Sequence, residues 1–295
     1  MLLLATSLLV MPLTLIESVA AMQARSLALR AQGKRIGLVP TMGYLHEGHV
    51  SLMRLLRPRC EVLVTSIFVN PMQFGPHEDL ARYPRDLQRD LELCAQAACD
   101  IVFHPSAEEI YPENFRTHIE VSELTENLCG PFRPGHFRGV TTVVGLLFNI
   151  VQPQLAAFGQ KDAQQALVLE RMVRDLRMPI EIIVGPTLRE PDGLAMSSRN
   201  VYLQPEARKQ APALYHALLL AEKMIAGGER RTDQIIAAMT ALLEQEVTAP
   251  MIEYISVVDR ERLHPLEQLR GKFVLALAVR LDKTRLIDNM FFEVA

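Results

Sequence analysis

Val39–Ser51, VPTMGYLHEGHVS, is the stretch from which the fold is read. The apolar run Arg35–Pro40 before it has the character of a strand, Gly43 permits a tight turn, and a helical pattern begins near Glu47. His46 and His49 are three residues apart, which puts both imidazoles on one face of the first helical turn. Gly48 between them carries no side chain, so a ligand can approach the backbone closely. The unpaired N–H groups and the dipole of such a terminus make an anion site, and two imidazoles add donors for phosphate oxygens. Two plainer readings compete with this one. The histidines are half of a metal site, for which the neighbouring sequence supplies no third ligand, or they are capping or core residues. The whole strand–turn–HxGH–helix arrangement favours a nucleotide. No G-x-G-x-x-G and no G-x-x-x-x-G-K-[ST] occurs, so nucleotide binding has to run through the HxGH device.

Outward from this stretch, apolar runs at Val62–Asn70, Asp100–His104, Leu155–Phe158 and Ile180–Gly185 alternate with helical patterns. Those patterns lie at Glu47–Leu56, Arg85–Ala98, Gly139–Val151 and Asp162–Leu176, and a further helix is expected over Ile16–Gln32. Such alternation predicts an α/β fold with a parallel, Rossmann-like sheet and helices on both faces. Ligands of such sheets gather at the carboxyl ends of the strands. From Gly193 the pattern changes to long helical stretches near Glu206–Ala226 and Thr232–Glu246. Strands follow at Glu253–Val258, Phe273–Val279 and Arg285–Asp288. The expected division is therefore a nucleotide-binding domain over 1–187 and a smaller α+β domain over 188–295.

Composition narrows the function classes. The 295 residues carry 31 Lys+Arg against 34 Asp+Glu, a net charge of −3, and 49% are hydrophobic, as in an ordinary globular protein. A pI of about 6.3 argues against a nucleic-acid binder, which would be basic. Cys60, Cys94, Cys99 and Cys129 form no C-x-x-C pair, which excludes a zinc ribbon and suits a reducing compartment. Residues 1–16 are uncharged and the first basic residue is Arg25, so the positive start of a secretory signal is missing. Pro12 interrupts a stretch already short for a membrane helix. A cytoplasmic protein without membrane or nucleic-acid partners is expected, with the residues before about 11 an extension.

HxGH after a first strand, followed much later by Met196-Ser197-Ser198-Arg199-Asn200, resembles the HIGH and KMSKS pair of class I synthetase-like nucleotidyl transferases. The wider set KRIGLVPTMG, SIFVNPMQF, LARYPRDLQRD, RPGHFRGV, FGQKD, DGLAMSSRN and RLIDN resembles the pantothenate synthetase (pantoate–β-alanine ligase) family. The resemblance runs in order from about Met11 to the C-terminus. It departs at Ala163, where the family commonly has an aromatic, and at Cys129-Gly130-Pro131, where an acidic residue is common. What it implies is a two-step condensation with ATP and Mg²⁺. Pantoate attacks the α-phosphorus to give pantoyl adenylate and pyrophosphate, and β-alanine then displaces AMP to give pantothenate.

The site residues that follow from the resemblance fall into three groups. His46, His49, Lys161, Ser197, Ser198 and Arg199 would be catalytic, with His49 the proton donor, Lys161 aimed at the α-phosphate, and Ser197–Arg199 clamping departing pyrophosphate. ATP would lie along Met42, Gly43, Tyr44, Leu45, His46, Glu47, Gly48 and His49. Further contacts would come from Gly159, Gln160, Lys161 and Asp162, from Leu188 at the adenine, and from Met196 to Arg199. Gln73 and Gln165 would bind pantoate, Gln73 also β-alanine, with Pro40, Met42, Asn70 and Tyr83 lining the same cavity. Arg133, His136 and Arg138 read as a second basic patch and are expected to order or gate a loop. The Mg²⁺ ligands are not assigned. The family implies a homodimer, to which the apolar Val143–Ile150 stretch contributes unless it is a core helix. Two alternatives stay open: an adenylyl transfer to a phosphate acceptor, and a non-catalytic adenine-nucleotide binder.

Overall fold

The computed structural model describes residues 13–76 and 78–294. The extension before residue 11 lies outside them. Six strands form one parallel sheet: β1 (Thr14–Ile16), β2 (Ile36–Thr41), β3 (Val62–Ile67), β4 (Ile101–Phe103), β5 (Leu155–Gly159) and β6 (Glu181–Gly185), in the order β1-β4-β3-β2-β5-β6. Both faces of β2 are buried, as a parallel sheet covered on two sides requires. Ile36 and Leu38 point to one side, where they pack with α1 (Val19–Ala31), α5 (His136–Val151) and α6 (Ala163–Asp175). Val39 points to the other, against α2 (Glu47–Leu56) and α3 (Leu87–Gln96). A single turn, α4 (Ala107–Ile110), follows β4.

The strand order reverses at β2. From there the chain steps through β3 and β4 to one side, and β5 and β6 lie on the other. In open α/β sheets this switch point leaves a crevice beyond the carboxyl ends of the two central strands. Here those ends are Thr41 and Gly159, so the loop with the histidines and the loop with Lys161 face the same crevice.

The second lobe holds α7 (Pro205–Gln210), α8 (Ala213–Ala226) and α9 (Thr232–Glu246) over an antiparallel sheet of β7 (Met251–Asp259), β8 (Gly271–Leu281) and β9 (Thr284–Val294). Along β8, Phe273, Leu275, Leu277 and Val279 pack toward the helices. Val274 and Ala276 instead meet Phe137 of α5 and Ala163, Leu167 and Val168 of α6. The two lobes therefore share an apolar layer, and the position of Ala163 is part of it.

Several expectations need correction. β1 was not foreseen, because three residues that are mostly exposed carry no alternation to read. The first helix begins at Val19, where the Ser18 side chain accepts from the N–H of Ala21, and not at Ile16. The expected helix Glu206–Ala226 is two helices, since Pro212 has no N–H to continue the first. The last strand runs from Thr284 to Val294, well past Asp288. The Val143–Ile150 stretch is a core helix: Val143, Val144, Leu147, Phe148 and Ile150 are each buried.

Candidate active site

The turn after β2 is built from the backbone. Gly43 (φ 79°) and Tyr44 (φ 48°) both take left-handed conformations, and the carboxylate of Asp90 on α3 accepts from the N–H groups of Tyr44 (2.8 Å) and Leu45 (2.7 Å). A non-glycine residue in that region needs such a hold. Helix α2 then starts with His46 as its cap. His46 Nδ1 accepts from the N–H of Gly48 (3.1 Å), and His49 Nδ1 accepts from the N–H of His46 (3.2 Å). This is a reciprocal capping box made of two imidazoles, with ring centroids 4.0 Å apart. Because both Nδ1 atoms accept, the neutral rings carry their protons on Nε2, leaving two Nε2–H donors for a ligand.

Electrostatics keeps them neutral. Burial, the His49 ring and the Lys161 ammonium lower the His46 pKa to about 3, and burial with Lys161 lowers that of His49 to about 4. Gly48 has a reason beyond ligand approach: a Cβ there would lie 2.8 Å from His46 Cε1, so the glycine makes room for the capping ring.

Across the switch point, β5 ends in a 3₁₀ turn, Gln160–Asp162, that places Lys161 beside the histidines. The carboxamide of Asn289, on β9 of the second lobe, donates to the carbonyls of Gln160 and Lys161, each at 2.9 Å. The stretch Leu188–Met196 folds back on itself, with the N–H of Met196 donating to the Leu188 carbonyl. It delivers Ser197–Arg199 to the cleft. The Ser198 hydroxyl donates to the Tyr44 carbonyl (3.2 Å), and the Arg199 guanidinium donates twice to Asp79, at 3.0 Å each.

Beyond β3 lies a second cluster. Asn70, 1% exposed, donates to Gln73 Oε1 (3.0 Å) and to the Gly139 carbonyl (3.1 Å), and accepts from the Tyr111 hydroxyl (2.8 Å). With its oxygen engaged, Gln73 turns its amide nitrogen to the cleft, where it donates to the soft Met42 sulfur (3.3 Å) and keeps a second N–H. Arg133 pairs with Glu78 and donates to the Gln73 carbonyl, while His136, buried, contacts that carbonyl through Nδ1 (2.9 Å) and Arg133 through Nε2 (3.0 Å). Arg133 and His136 thus hold the Gln73–Glu78 loop, as expected; Arg138 is exposed and takes no part.

These groups surround one cleft of about 1380 Å³, its open mouth included. It brings together His46, Gly48, His49, Gly159, Lys161, Asp162, Leu188 and Met196 to Arg199 with Pro40, Met42, Asn70, Gln73, Tyr83 and Gln165. Val140, Val143, Val144, Leu147 and Phe158 form an apolar wall. Gly43, Tyr44, Leu45, Glu47 and Gln160 do not line it. Leu45 is a core residue, Glu47 is exposed and pairs with Arg54, and Gly43, Tyr44 and Gln160 serve through backbone geometry and hydrogen bonds. Sequence reasoning missed Asp79, Asp90 and Asn289. Asp90 and Asn289 stand inside the quoted segments LARYPRDLQRD and RLIDN, which was the signal available.

The family model described as pantoate-beta-alanine ligase matches residues 14–291. The chain is 56% identical over 283 residues to the pantothenate synthetase of Moorella thermoacetica, covering 95% of this chain and 99% of that protein. Against the pantothenate synthetase of Thermotoga neapolitana the identity is 55% over 275 residues, covering 93% and 98%. The crystal structure of pantothenate synthetase from Thermus thermophilus superposes with a TM-score of 0.89 at 46% identity, over 94% of this chain and 98% of that one. That of pantoate-beta-alanine ligase from Francisella tularensis, complexed with beta-gamma ATP and beta-alanine, gives 0.78 at 32% identity, over 95% and 97%. With a family model spanning nearly the whole chain and relatives above half identity along their full length, the chain belongs to the pantoate-beta-alanine ligase family.

Proposed function

We infer that this chain condenses pantoate with β-alanine at the expense of ATP, through a pantoyl adenylate, releasing pyrophosphate and AMP. The observation that carries the residue assignment is the convergence, at one switch point, of two Nε2–H imidazoles, Lys161 and Arg199 with an amide-lined apolar pocket. The α-phosphate would lie against the α2 terminus, where negative charge is favoured. Pantoate is ionised at pH 7, so the first step needs alignment and charge stabilisation more than a base. We assign that stabilisation to Lys161 and to the Nε2–H groups of His46 and His49. Arg199, Ser197 and Ser198 would hold the pyrophosphate. The N–H of Gln73 suits the carboxylate or hydroxyl of pantoate, Gln165 assists, and the wall of Val140, Val143 and Val144 accepts its methyl groups. Leu188 would flank the adenine. The 188–295 lobe then acts as the lid that carries Arg199.

Mg²⁺ is expected to enter with ATP. Among the described residues no group of three or more His, Cys, Asp and Glu side chains forms a cage, which fits an ion held mainly by phosphates. Asp162 is the one carboxylate among the residues named for the cleft, and its side chain caps no helix. It would hold the ion, which neutralises phosphate charge when bound. We further propose a cytoplasmic homodimer, on the strength of the family resemblance. No described helix is long and apolar enough to cross a membrane, and all four cysteines are free thiols.

The test is AMP release from ATP and Mg²⁺ with pantoate and β-alanine added singly and together, alongside pyrophosphate exchange with pantoate alone. AMP only with both substrates, and exchange with pantoate alone, are expected. Tight ATP binding without turnover by the folded protein would overturn the reading.

A further inference from the structure

Asn289 contributes to the cleft without lining it. It sits on β9, opposite Ala276 of β8, and is 3% exposed. Its carboxamide nitrogen donates to the carbonyls of Gln160 and Lys161, each at 2.9 Å. Those two carbonyls belong to the peptide planes on either side of the Lys161 Cα. Peptide units are rigid and only the two dihedrals between them turn, so holding both planes fixes both dihedrals and the direction in which the side chain leaves the backbone.

Asn289 is itself held from behind. Its N–H donates to Asp288 Oδ1 (2.8 Å), and the buried Asp288 carboxylate receives both Nη1 (2.6 Å) and Nη2 (3.1 Å) of Arg189. The Arg189 guanidinium in turn lies 3.8 Å above the Tyr215 ring. A chain of contacts thus runs from Tyr215 on α8, through Arg189 and β9, to the backbone of Lys161. The carboxamide oxygen of Asn289 is buried and has no partner. An unmade bond of this kind is costly, and a leucine would fill the same volume without it. The two donors are what the amide adds.

We infer that Asn289 is a positioning residue for Lys161, its two N–H bonds holding the ammonium in the cleft from the opposite lobe. The inference rests on the ligase reading above. Burial and the Lys161 charge both depress the His49 pKa, so an ammonium that drifts away leaves a signature on that ring independent of turnover. His46 feels Lys161 together with His49, Asp162 and Arg89, and is the less direct reporter.

The experiment is a double-mutant cycle of Asn289→Leu with Lys161→Ala in the full-length chain. It is read by pantoate-dependent pyrophosphate exchange and by NMR titration of His49. Asn289→Leu alone should lower kcat/KM for exchange by about 10- to 100-fold, the cost of displacing a catalytic group by about 1 Å. In the Lys161→Ala background it should add less than about 2-fold, since residues acting as a unit are not additive. The His49 titration should move up toward the ordinary histidine range in Asn289→Leu, and in the double variant it should match that of Lys161→Ala alone. Asn289→Ser, which keeps one donor, should fall between Asn289→Leu and the parent. Additive losses, or an unmoved His49 titration beside lost exchange, would overturn the inference while leaving the ligase reading intact. So would failure of both Asn289 variants to fold, which would make the residue a folding determinant. Absence of exchange in the parent would overturn the ligase reading and this inference with it.

Discussion

Acidification should destabilise the protein through His136, and the size of the effect follows from its contacts. The ring lies between the Gln73 carbonyl and the Arg133 guanidinium, and it is 8% exposed. Arg133 can only donate, so Nε2 accepts and Nδ1–H donates to Gln73; a second ring proton would point at a cation. Burial, with Arg133 next, lowers the pKa from the ordinary 6.5 to about 4, against the opposing pull of Gln73, Glu78 and Asp162. The folded value lies below the unfolded one, so the unfolded chain takes up the proton first as pH falls. Stability is then unaffected by this group above pH 6.5, declines between 6.5 and about 4, and levels off below. Each pH unit inside that window is worth about 1.4 kcal/mol, so at pH 5 His136 alone costs about 2 kcal/mol. His136→Gln keeps an acceptor for Arg133 and a donor for Gln73 but cannot titrate. Urea midpoints of parent and variant, compared from pH 7.5 to 5, should converge as pH falls, by about 2 kcal/mol at pH 5 relative to their difference at pH 7.5. Curves that stay parallel across this range would refute the reasoning. The carboxylates of Glu78 and Asp79, held low by their arginines, lose their contribution at lower pH and do not confuse the window.

Three further outcomes are expected. His49→Ala should reduce pantoate-dependent pyrophosphate exchange by about 10²- to 10⁴-fold, the range for one positioned group, while the ATP dissociation constant from calorimetry changes far less. Gly48→Ala places a Cβ against the His46 ring and should turn that ring out of its cap, raising the KM for ATP by about 10-fold or more in steady-state assays. Asp79→Ala frees the Arg199 guanidinium from its carboxylate partner, so calorimetry should show ATP binding tighter by about 3- to 10-fold; weaker binding would mean that Asp79 holds Arg199 in its working position.

Much of the sheet was legible because its strands are buried on both faces and read as continuous apolar runs. The histidine helix was legible because Gly43, His46, Gly48 and His49 each carry a local constraint. Its bounds, Glu47–Leu56, came out as expected. What could not be read were long-range partners. Asp90 reaches the Tyr44 and Leu45 amides across 46 and 45 residues, Arg199 meets Asp79 across 120, and Asn289 meets Lys161 across 128. Nothing in local periodicity encodes such pairings. The division of labour within the HxGH loop was hidden for another reason. Tyr44, Leu45 and Glu47 are neighbours of the cleft residues in sequence, but a left-handed turn rotates their side chains to the core and to solvent.

The bonds that Asn289 makes to the Lys161 turn also set an order of events during synthesis. All six strands of the parallel sheet are encoded by Gly185, so a growing chain can complete that layer early. The clamp arrives only with β9, roughly a hundred residues afterwards, a gap of about 5–20 s at ordinary elongation rates. Through that interval the nascent first lobe has its histidine helix but not the anchor for Lys161, so the ribosome carries a nucleotide crevice that has not yet been armed.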